Sequence, residues 1–416
     1  MPRRLLALSA MGRDRPGLIA DVSGAVTKTG GNIVHVEESA LRGMFSMFML
    51  VEVPGVAEAL PLFEARDRLL EALRGIDLEI NLEVVDEGAL SARKRRDLKV
   101  ITIMGQDTRG VMHGITRTIA AHGANIERMR HVASGDFMAF EILVDVTGRD
   151  LAELKRDLRA TCEALGVDAI VQPDSMFRTR KRLVVFDVDS TIVEGEIIDE
   201  LAKAAGVGDR VAAITERAMR GEVDFKKALE ERVSMLAGLP VGDLERIADS
   251  MKLTPGTEEL VYALKRMGFK VGLISGGFTF FTDRLQRELG FDYAFANELE
   301  IKNGKLTGRV KGPIIDRERK GNILKRLLRK EGLRRDEVVA VGDGANDTIM
   351  IKNAGLGIAF DAKEVLKKVA DGSLTRRNLE GLLYALGATD SDLEGVRKSR
   401  RKGAGSGKRQ RPSGSR

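Results

Sequence analysis

Short, largely apolar runs separated by helix-like segments mark the second half of this chain. They lie at residues 183–186, 269–274, 337–341 and 354–360. Such runs, rich in β-branched residues, are typical of strands covered on both faces of a parallel sheet. Between the first two runs, apolar residues recur at spacings of three and four, which predicts four short helices. The pattern therefore predicts an α/β domain with a parallel sheet and a helical insertion that caps it.

The first 172 residues contain a weak internal repeat. Segment 5–17 is matched by segment 100–110, and a Gly-x-Asn sequence follows at Gly30 and again at Gly123. Each copy has a predicted strand, a loop with Gly and Asp, an amphipathic helix, two or three alternating strands and another helix. This βαββαβ order is the ferredoxin-like motif.

These patterns predict the domain organisation. A chain of 416 residues is long enough for about three domains of roughly 150 residues each. We expect ferredoxin-like domains over residues 1–85 and 98–172, then a Rossmann-like domain over 180–388 with its helical cap at about 196–253. Residues 389–416, rich in Gly, Ser, Lys and Arg, are expected to be a disordered basic tail.

The positive charge of the chain is concentrated in that tail. The sequence pI is about 9.3 and the formal net charge is +6, but residues 397–416 hold nine Lys and Arg and no acid. The rest of the chain is therefore slightly acidic. A solubilising extension explains the tail better than a nucleic-acid-binding one, although the tail leaves contact with nucleic acid or acidic partners open.

Cysteine and histidine usage excludes several kinds of site. Cys162 is the only cysteine, so there is no internal disulfide framework and no cysteine-rich metal site. The histidines all precede residue 172, and they are His35, His113, His122 and His131. The Rossmann-like part thus has neither residue type, which excludes Ser-His-Asp, Cys-His and zinc-histidine chemistry there. No apolar run approaches the roughly 20 residues of a membrane span, and we expect a cytoplasmic protein.

Acidic side chains follow the ends of the predicted strands. Asp187 and Asp189 come directly after the first apolar run, and Asp343 follows the third. Parallel strands bring these ends to one edge of the sheet, where ligands of open α/β sheets bind. Neighbouring carboxylates repel each other, so a cation is the natural way to keep them ionised. The oxygen-rich set Asp187, Asp189 and Asp343 predicts one Mg²⁺ per active site.

The same edge holds the groups that phosphoryl transfer requires. Asp187 can act as nucleophile and form an aspartyl-phosphate, while Asp189 can serve as general acid and then as base for water. The Ser275 hydroxyl, the Gly276 amide and the Lys320 ammonium can hold the phosphate. An EF-hand beginning at Asp187 is excluded because its Gly and Glu positions are both isoleucine, and no P-loop motif occurs.

Taken in order, these motifs resemble the haloacid dehalogenase (HAD) superfamily and, within it, the phosphoserine phosphatases. The similarity covers about residues 181–386, and its four motifs are Asp187-Val-Asp189-Ser-Thr191, Ser275-Gly276, Lys320, and Gly342-Asp343-Gly-Ala-Asn346-Asp347. The resemblance implies that Glu196 faces the substrate ammonium and that Arg232 binds its carboxylate. It also implies that Asn346 lies near the phosphate, and that Asp347 orients Lys320 or the metal shell. Met219 and Phe225 match apolar cap positions that exclude water.

The repeated N-terminal copies resemble ACT domains, which are small modules that bind amino acids, often at a dimer interface. The resemblance covers residues 1–85 and 98–172 and implies a regulatory ligand and a homodimer. Its ligand residues would be Gly12, Asp14, Gly17 and Asn32 in the first copy, and Gly105, Asp107, Gly110 and Asn125 in the second. L-serine is the leading candidate ligand. The alternative is that these glycines only form turns and that Asn32 only caps a helix.

The motifs indicate a magnesium-dependent phosphatase, and the resemblance implies that it converts O-phospho-L-serine to L-serine, the last step of serine biosynthesis. One alternative is a phosphatase or phosphotransferase for another small phosphate, such as phosphohomoserine. Another is an amino-acid-responsive regulator with an inert HAD part, against which Asp187, Asp189, Lys320 and Asp343 all argue.

Overall fold

The computed structural model describes residues 4–53, 59–86, 96–133, 137–174, 181–219 and 222–406. The chain divides into two compact units, residues 1–96 and residues 97–416. Within the described residues, no helix combines the length and the apolar composition that crossing a membrane requires.

The first unit is a four-stranded antiparallel sheet in the order β2-β3-β1-β4. Its elements are β1 Arg4–Arg13, α1 Leu18–Lys28, β2 Asn32–Leu41, β3 Met44–Glu52, α2 Ala59–Leu73 and β4 Glu79–Asp86. Leu6 and Leu8 of β1 are buried with residues of both helices, whereas the next residue, Ser9, points to the other face and is exposed. This alternation leaves one face of the sheet uncovered by the helices. The predicted βαββαβ order is confirmed.

The second copy repeats this order at the start of the second unit. Its elements are β5 Leu98–Gln106, α3 Val111–Ala121, β6 Asn125–Ala133, β7 Phe137–Asp145, α4 Leu151–Leu165 and β8 Val167–Pro173. Ile101 and Ile103 of β5 pack with the apolar faces of α3 and α4. Met104 and Ile170 belong instead to a core on the opposite face of the sheet.

The remainder of the second unit is built on parallel strands, with one antiparallel hairpin at residues 293–311. The strands are β9 Leu183–Phe186, β10 Lys270–Phe278, β11 Tyr293–Lys302, β12 Lys305–Lys311, β13 Val338–Gly342, β14 Leu356–Phe360 and β15 Gly372–Leu374. The helices outside the cap are α9 Thr257–Arg266, α10 Thr279–Leu289, α11 Arg317–Glu331, α12 Thr348–Asn353, α13 Glu364–Lys367, α14 Gly381–Ala385 and α15 Asp390–Ser406. All four apolar runs identified in the sequence are strands, as predicted.

Strand β9 is the point at which the order of the parallel strands reverses. It pairs in parallel with β10 on one side and with β13 on the other, and β14 and β15 continue beyond β13. Every residue of β9 is buried, because helices cover both faces of the sheet. A reversal of this kind opens a crevice at the carboxyl ends of the strands, which is the usual ligand site of such sheets.

The sheet of the second copy continues the parallel sheet. A single antiparallel pair, Gly372 with Ile170, joins β15 to β8, and the result is one 11-stranded sheet. A Cβ on Gly372 would lie 2.5 Å from Ile170 Cγ1 and 2.7 Å from the Ala169 carbonyl oxygen, so only glycine allows this approach. The regions predicted as separate domains over 98–172 and 180–388 thus share one sheet.

Helix α14 covers the face of the second copy that its own helices leave open. Leu382, Leu383 and Tyr384 share a core with Met104 and Ile170. Gln172 donates a hydrogen bond from Nε2 to the Ala385 carbonyl oxygen at 2.9 Å. The second copy is therefore fixed to the parallel-sheet part by apolar packing as well as by strand pairing.

The cap consists of four helices within the described residues between 197 and 250, as predicted. They are α5 Ile197–Ala204, α6 Gly208–Met219, α7 Phe225–Ser234 and α8 Val241–Ser250. The two connections to the cap meet at an isolated bridge between Val193 and Leu253. The predicted β11–β12 hairpin, which turns at Asn303-Gly304, supports the cap from the side because Gly238 N donates to the Leu306 carbonyl oxygen at 2.8 Å.

The predicted disorder of residues 389–416 is wrong for the described part of that segment. Residues Asp390–Ser406 form α15. Leu393 is 3% exposed in the main core, and Arg397 pairs with Glu380 at 2.6 Å. The Asp392 carboxylate accepts hydrogen bonds from both Thr389 N and Thr389 Oγ1 at the start of the helix. The polar composition of this segment gave no sign that Leu393 anchors it or that Asp392 caps the helix. Residues 407–416 lie outside the described residues.

We expect the Gly372→Ala substitution to lower the free energy of unfolding of the second unit by about 1–3 kcal/mol, because the new methyl group must separate β15 from β8. Urea denaturation followed by circular dichroism measures this effect. Gly242→Ala in α8 is the matched control, since a Cβ at that position would have no other atom within 4 Å, and it should be neutral or slightly stabilising. Equal stability of the two variants would contradict the tight strand junction.

Candidate active site

The strand ends predicted to meet do meet, in a cavity of about 440 Å³ at the reversal point of the sheet. Asp187 and Asp189 follow β9, Gly276 lies in β10, and Asp343 and Asn346 follow β13. The cap contributes Glu196, Phe225 and Arg232 to the opposite wall. The parallel sheet and the cap therefore enclose one site between them.

Lys320, in the first turn of α11, contacts carboxylates of this site but does not itself line the cavity. Its Nζ is 2.8 Å from Asp187 Oδ2 and 2.8 Å from Asp347 Oδ1. The side chain is fully buried. Burial by itself would lower the pKa of Lys320, but the carboxylates of Asp187 and Asp347 outweigh burial and raise that pKa well above its usual value. Lys320 is a permanent cation here.

Asp187 is held from several directions. Val188 N donates to Oδ1 at 2.8 Å, and Asn346 Nδ2 donates to Oδ2 at 3.4 Å. Together with Lys320 these donors fix the orientation of the carboxylate. A carboxylate held in this way is prepared to act as a nucleophile.

Asp189 has a different environment from Asp187. Ile197 N, at the start of the cap, donates to Oδ1 at 2.8 Å, and Ser275 Oγ donates to Oδ2 at 3.5 Å. Burial raises the pKa of Asp189 to about 7, with further contributions from the charges of Glu196 and Asp187. A carboxyl group with a pKa near neutrality can give and take a proton, which suits a general acid and base.

Three carboxylates form a cluster that suits a cation. Each of Asp187, Asp343 and Asp347 contributes one carboxylate oxygen, and these three oxygens lie within 4.8 Å of one another. Burial, followed by the charges of Asp187 and Asp347, raises the pKa of Asp343 to about 8. A divalent cation would relieve this repulsion, and an all-oxygen donor set suits Mg²⁺. Asp189, which we predicted as a ligand, lies outside this carboxylate cluster, whereas Asp347 belongs to it.

Glu196 and Arg232 face the cavity from the cap side. Desolvation raises the pKa of Glu196, and the charges of Asp187 and Asp199 add to it, while Arg232 opposes the shift. Desolvation lowers the pKa of Arg232, although Glu196 counteracts this. Arg232 Nη1 donates to Thr215 Oγ1 at 3.4 Å. The cap thus presents one negative and one positive group to the cavity.

Phe225 brings the cap against the phosphate side of the site. A Cβ on Gly276 would lie 3.6 Å from Phe225 Cζ, so the ring covers the Gly276 backbone. The neighbouring residue Lys226 pairs with Asp316, the residue that caps α11, at 3.0 Å. The side chain of Met219, the other predicted apolar cap residue, lies outside the described residues.

Sequence reasoning missed Asn297, which is 2% exposed in β11. Its Nδ2 donates to the Gly276 carbonyl oxygen at 2.7 Å, and its Oδ1 accepts from Ile315 N at 2.7 Å. Asn297 therefore fixes the Ser275-Gly276 turn from behind. In the sequence its only signal was an amide side chain in a segment that forms a strand, and its burial is visible only in the structure. At the same turn, Gly277 must be glycine because a Cβ would lie 2.7 Å from Asp189 Oδ2.

Lys363 and Val365 were also missed. Both line the cavity, and Lys363 N donates to the Asp343 carbonyl oxygen at 3.1 Å. Lys363 belongs to the loop after β14, whose residue Asp361 has a positive φ of 40°, and Val365 lies in α13, which follows this loop. No motif marks this loop, and its proximity to the site depends on the sheet order.

The residues predicted to bind a regulatory ligand occupy equivalent places in the two copies. Gly17 and Gly110 have φ values of 92° and 90° immediately before α1 and α3. Gly12 and Gly105 lie where a Cβ would contact Leu78 at 2.7 Å and Val167 at 2.8 Å, respectively. The glycines thus have clear structural roles. Asp14 and Asp107 lie in the two loops, and Asn32 and Asn125 begin β2 and β6. Their ligand role stays a prediction.

Comparison with protein-family models finds two families. Residues 181–355 match the haloacid dehalogenase-like hydrolase family. Residues 4–85 and 98–172 match the ACT domain. The proposed active-site motifs and the cap lie within the first match.

The chain is also similar to characterised relatives over most of its length. It is 58% identical to the phosphoserine phosphatase of Archaeoglobus fulgidus over 294 residues, which cover 71% of this chain and 86% of the relative. It is 38% identical to phosphoserine phosphatase SerB2 of Mycobacterium tuberculosis, covering 95% of this chain and 96% of the relative. Among solved structures, a HAD family hydrolase from Salmonella enterica superposes with a TM-score of 0.63 at 28% identity, covering 69% of this chain and 98% of that chain.

We expect Lys320→Met to lower the free energy of unfolding of the second unit by about 3–5 kcal/mol near neutral pH, because it leaves the buried carboxylates of Asp187 and Asp347 without their cation. Urea denaturation measures the loss. Lys325→Met, on the exposed face of the same helix, is the control and should change stability by less than about 0.5 kcal/mol. A stable Lys320→Met variant would show that the lysine is not a central structural cation.

Proposed function

Because the chain belongs to the phosphoserine phosphatase family of HAD-like hydrolases, we propose that it hydrolyses O-phospho-L-serine to L-serine and phosphate. The observation that carries this proposal is the composition of one cavity. Asp187, Asp189 and Asn346 lie at its sheet side, and Glu196 and Arg232 lie at its cap side. One side suits a phosphate ester and the other a zwitterion.

In the first step, a carboxylate oxygen of Asp187 attacks phosphorus, and the bond from phosphorus to the seryl oxygen breaks. Asp189 gives its proton to the departing oxygen, so L-serine leaves as the neutral alcohol. Asp187 then carries the phosphoryl group as an aspartyl-phosphate. The Ser275 hydroxyl, the Gly276 amide and the Lys320 ammonium hold the equatorial oxygens.

In the second step, Asp189 is a carboxylate and takes a proton from water as that water attacks phosphorus. The bond between phosphorus and the Asp187 oxygen breaks, and inorganic phosphate leaves. Asp187 is again a free carboxylate and Asp189 again carries a proton. The pKa of about 7 at Asp189 suits both directions of this transfer.

We propose that Mg²⁺ is the cofactor, held by Asp187 and Asp343 with Asp347 beside them. The carboxylate of Asp189, which the strand-end pattern also predicted as a ligand, instead accepts a hydrogen bond from Ile197 N. When bound, the ion would neutralise phosphate oxygens and so favour attack by an anionic nucleophile. Asn346 and Lys320 supply the remaining donors around the phosphate.

Substrate selection is assigned to the cap. Glu196 would face the ammonium group of phosphoserine, and the planar guanidinium of Arg232 would bind its carboxylate. Phe225 would exclude water from the reacting phosphate. Phosphate esters without an amino-acid group have neither an ammonium group for Glu196 nor a carboxylate for Arg232. The presence of Asp187, Asp189, Lys320 and Asp343 argues against an inert regulator.

Several finer expectations stay predictions. The ACT domains support an amino acid, with L-serine as the leading ligand, at Asp14 and Asn32 or their counterparts Asp107 and Asn125. A homodimer and a cytoplasmic location are likewise predictions. We predict feedback by the product because an amino-acid-binding fold is joined here to an enzyme proposed to make an amino acid.

The direct test is phosphate release from O-phospho-L-serine by the full chain, with Mg²⁺ and with excess EDTA. We expect turnover that requires the metal, and Asp187→Asn should lower kcat by at least about 1,000-fold because the nucleophile is lost. Asp209→Asn, on an exposed cap position, is the control and should retain activity. Turnover by Asp187→Asn would contradict the covalent mechanism. Activity confined to other phosphate esters would show that O-phospho-L-serine is not the substrate.

We expect Arg232→Met to raise KM for O-phospho-L-serine by about 10- to 100-fold, since a charged hydrogen-bonding partner of the carboxylate is removed. Steady-state kinetics with p-nitrophenyl phosphate, which has no carboxylate, should change little for the same variant. Arg210→Met, exposed on the same cap, is the matched control. Equal losses on both substrates would show that Arg232 supports the cap and does not recognise the amino acid.

A further inference from the structure

A second cavity, of about 430 Å³, lies where the second ACT copy packs against the C-terminal part of the HAD domain. Met104 and Phe137 line it from the ACT sheet, and Arg376 and Tyr384 line it from the HAD side. It shares no lining residue with the active-site cavity. Its volume is in the range of small-molecule sites.

Arg376 provides a cation on one wall of this cavity. Its guanidinium lies over the Phe137 ring, 5.7 Å from the centroid, and Nη2 donates to Gln106 Oε1 at 3.4 Å. Asp168, the nearby buried carboxylate, accepts hydrogen bonds from Thr375 N at 3.0 Å and from Thr375 Oγ1 at 2.8 Å. Among the described residues Arg376 forms no ion pair within 4.0 Å. Its charge opposes the burial that raises the pKa of Asp168, so a carboxylate from outside would share Arg376 with Asp168.

The other wall is mainly acidic and the floor is aromatic. Glu380, Asp390 and Glu394 line this side of the cavity, together with Arg397, which pairs with Glu380. Asp390 accepts a hydrogen bond from the Tyr384 hydroxyl at 2.8 Å, and Glu394 pairs with Lys398 at 3.0 Å. Phe137 and Tyr384 pack with their ring centroids 5.4 Å apart. A ligand with an ammonium group, a carboxylate and a small side chain matches these three surfaces, which is the chemistry of an amino acid.

The segment that carries Arg376 also reaches the active site. The next residue, Arg377, pairs through Nε with Asp361 Oδ2 at 2.6 Å, and Asp361 N donates to the Leu374 carbonyl oxygen at 2.8 Å. Asp361 begins the loop that leads to α13, and Lys363 of this loop and Val365 of α13 line the active-site cavity. These contacts connect residues 374–377 to the wall of that cavity.

The same segment contacts the base of the cap. Leu379 N donates to the Pro255 carbonyl oxygen at 2.9 Å. A Cβ on Gly256 would lie 2.2 Å from Asn378 Oδ1, so the two chain segments are in close contact. Pro255 closely follows Leu253, which bridges Val193 where both cap connections meet. The junction cavity is thus adjacent to both elements that shape the active site.

We propose that this junction cavity binds a small amino acid, with its carboxylate on Arg376 and its ammonium on the acidic wall, and that occupation changes turnover through residues 374–379. The effect on turnover rests on the proposed phosphatase function, whereas binding does not. The site differs from the predicted ACT ligand loops, because it lies on the sheet face opposite α3 and α4.

The test uses the full chain and the twenty L-amino acids as probes, first by thermal shift and then by isothermal titration calorimetry. We expect at least one amino acid to bind, and Arg376→Met to weaken that binding by about tenfold or more. Arg329→Met, an exposed arginine on α11, is the matched control and should bind as the wild type does. If Arg376→Met binds every amino acid as tightly as the wild type does, or if the wild type binds none, the proposed site is wrong.

Turnover of O-phospho-L-serine then tests the coupling. Arg377→Met should retain binding in calorimetry but lose the effect of the bound amino acid on kcat, because the contact with Asp361 is removed. An unchanged effect in Arg377→Met would overturn the route through Asp361. If the wild-type chain does not hydrolyse phosphoserine, the proposed function fails while the calorimetric result for Arg376 stands independently.

Discussion

The buried ion pairs of Lys320 with Asp187 and Asp347 are the interaction on which the site depends. Three elements that are distant in sequence meet there: the end of β9, the start of α11 and the turn after β13. Without a cation at this point, the burial of several carboxylates would be very unfavourable. The lysine therefore makes it energetically feasible for the chain to gather acidic groups at a sheet edge, where a phosphate and a metal ion can be bound.

The same principle explains the division of labour between the two aspartates after β9. Asp187 contacts Lys320 and accepts a hydrogen bond from Asn346, whereas burial, aided by the charge of Glu196, raises the pKa of Asp189 to about 7. Two residues of one type, separated by Val188, thus have the different environments that suit the proposed roles of nucleophile and proton carrier. The cap contributes directly, because Ile197 N donates a hydrogen bond to the Asp189 carboxyl group.

The continuity of the 11-stranded sheet gives the second ACT copy a role that the first copy does not share. Gly372 allows the strand pairing, and Gln172 and Asp168 bind backbone groups of residues 375–385. The open face that a ferredoxin-like domain usually offers to a partner is here covered by α14. The second copy is consequently part of the same compact unit as the candidate active site.

The sequence by itself determined the strands, the cap helices, the repeated βαββαβ units and the strand-end motifs, because each is encoded by local periodicity or by a few adjacent residues. It did not reveal Asn297, Lys363, the anchoring of α15 by Leu393, or the joining of β8 to β15. Asp168 and Thr375, for example, are 207 residues apart in the chain and are hydrogen-bonded in the structure. Contacts of this kind depend on which surfaces pack together, and only the tertiary structure decided that.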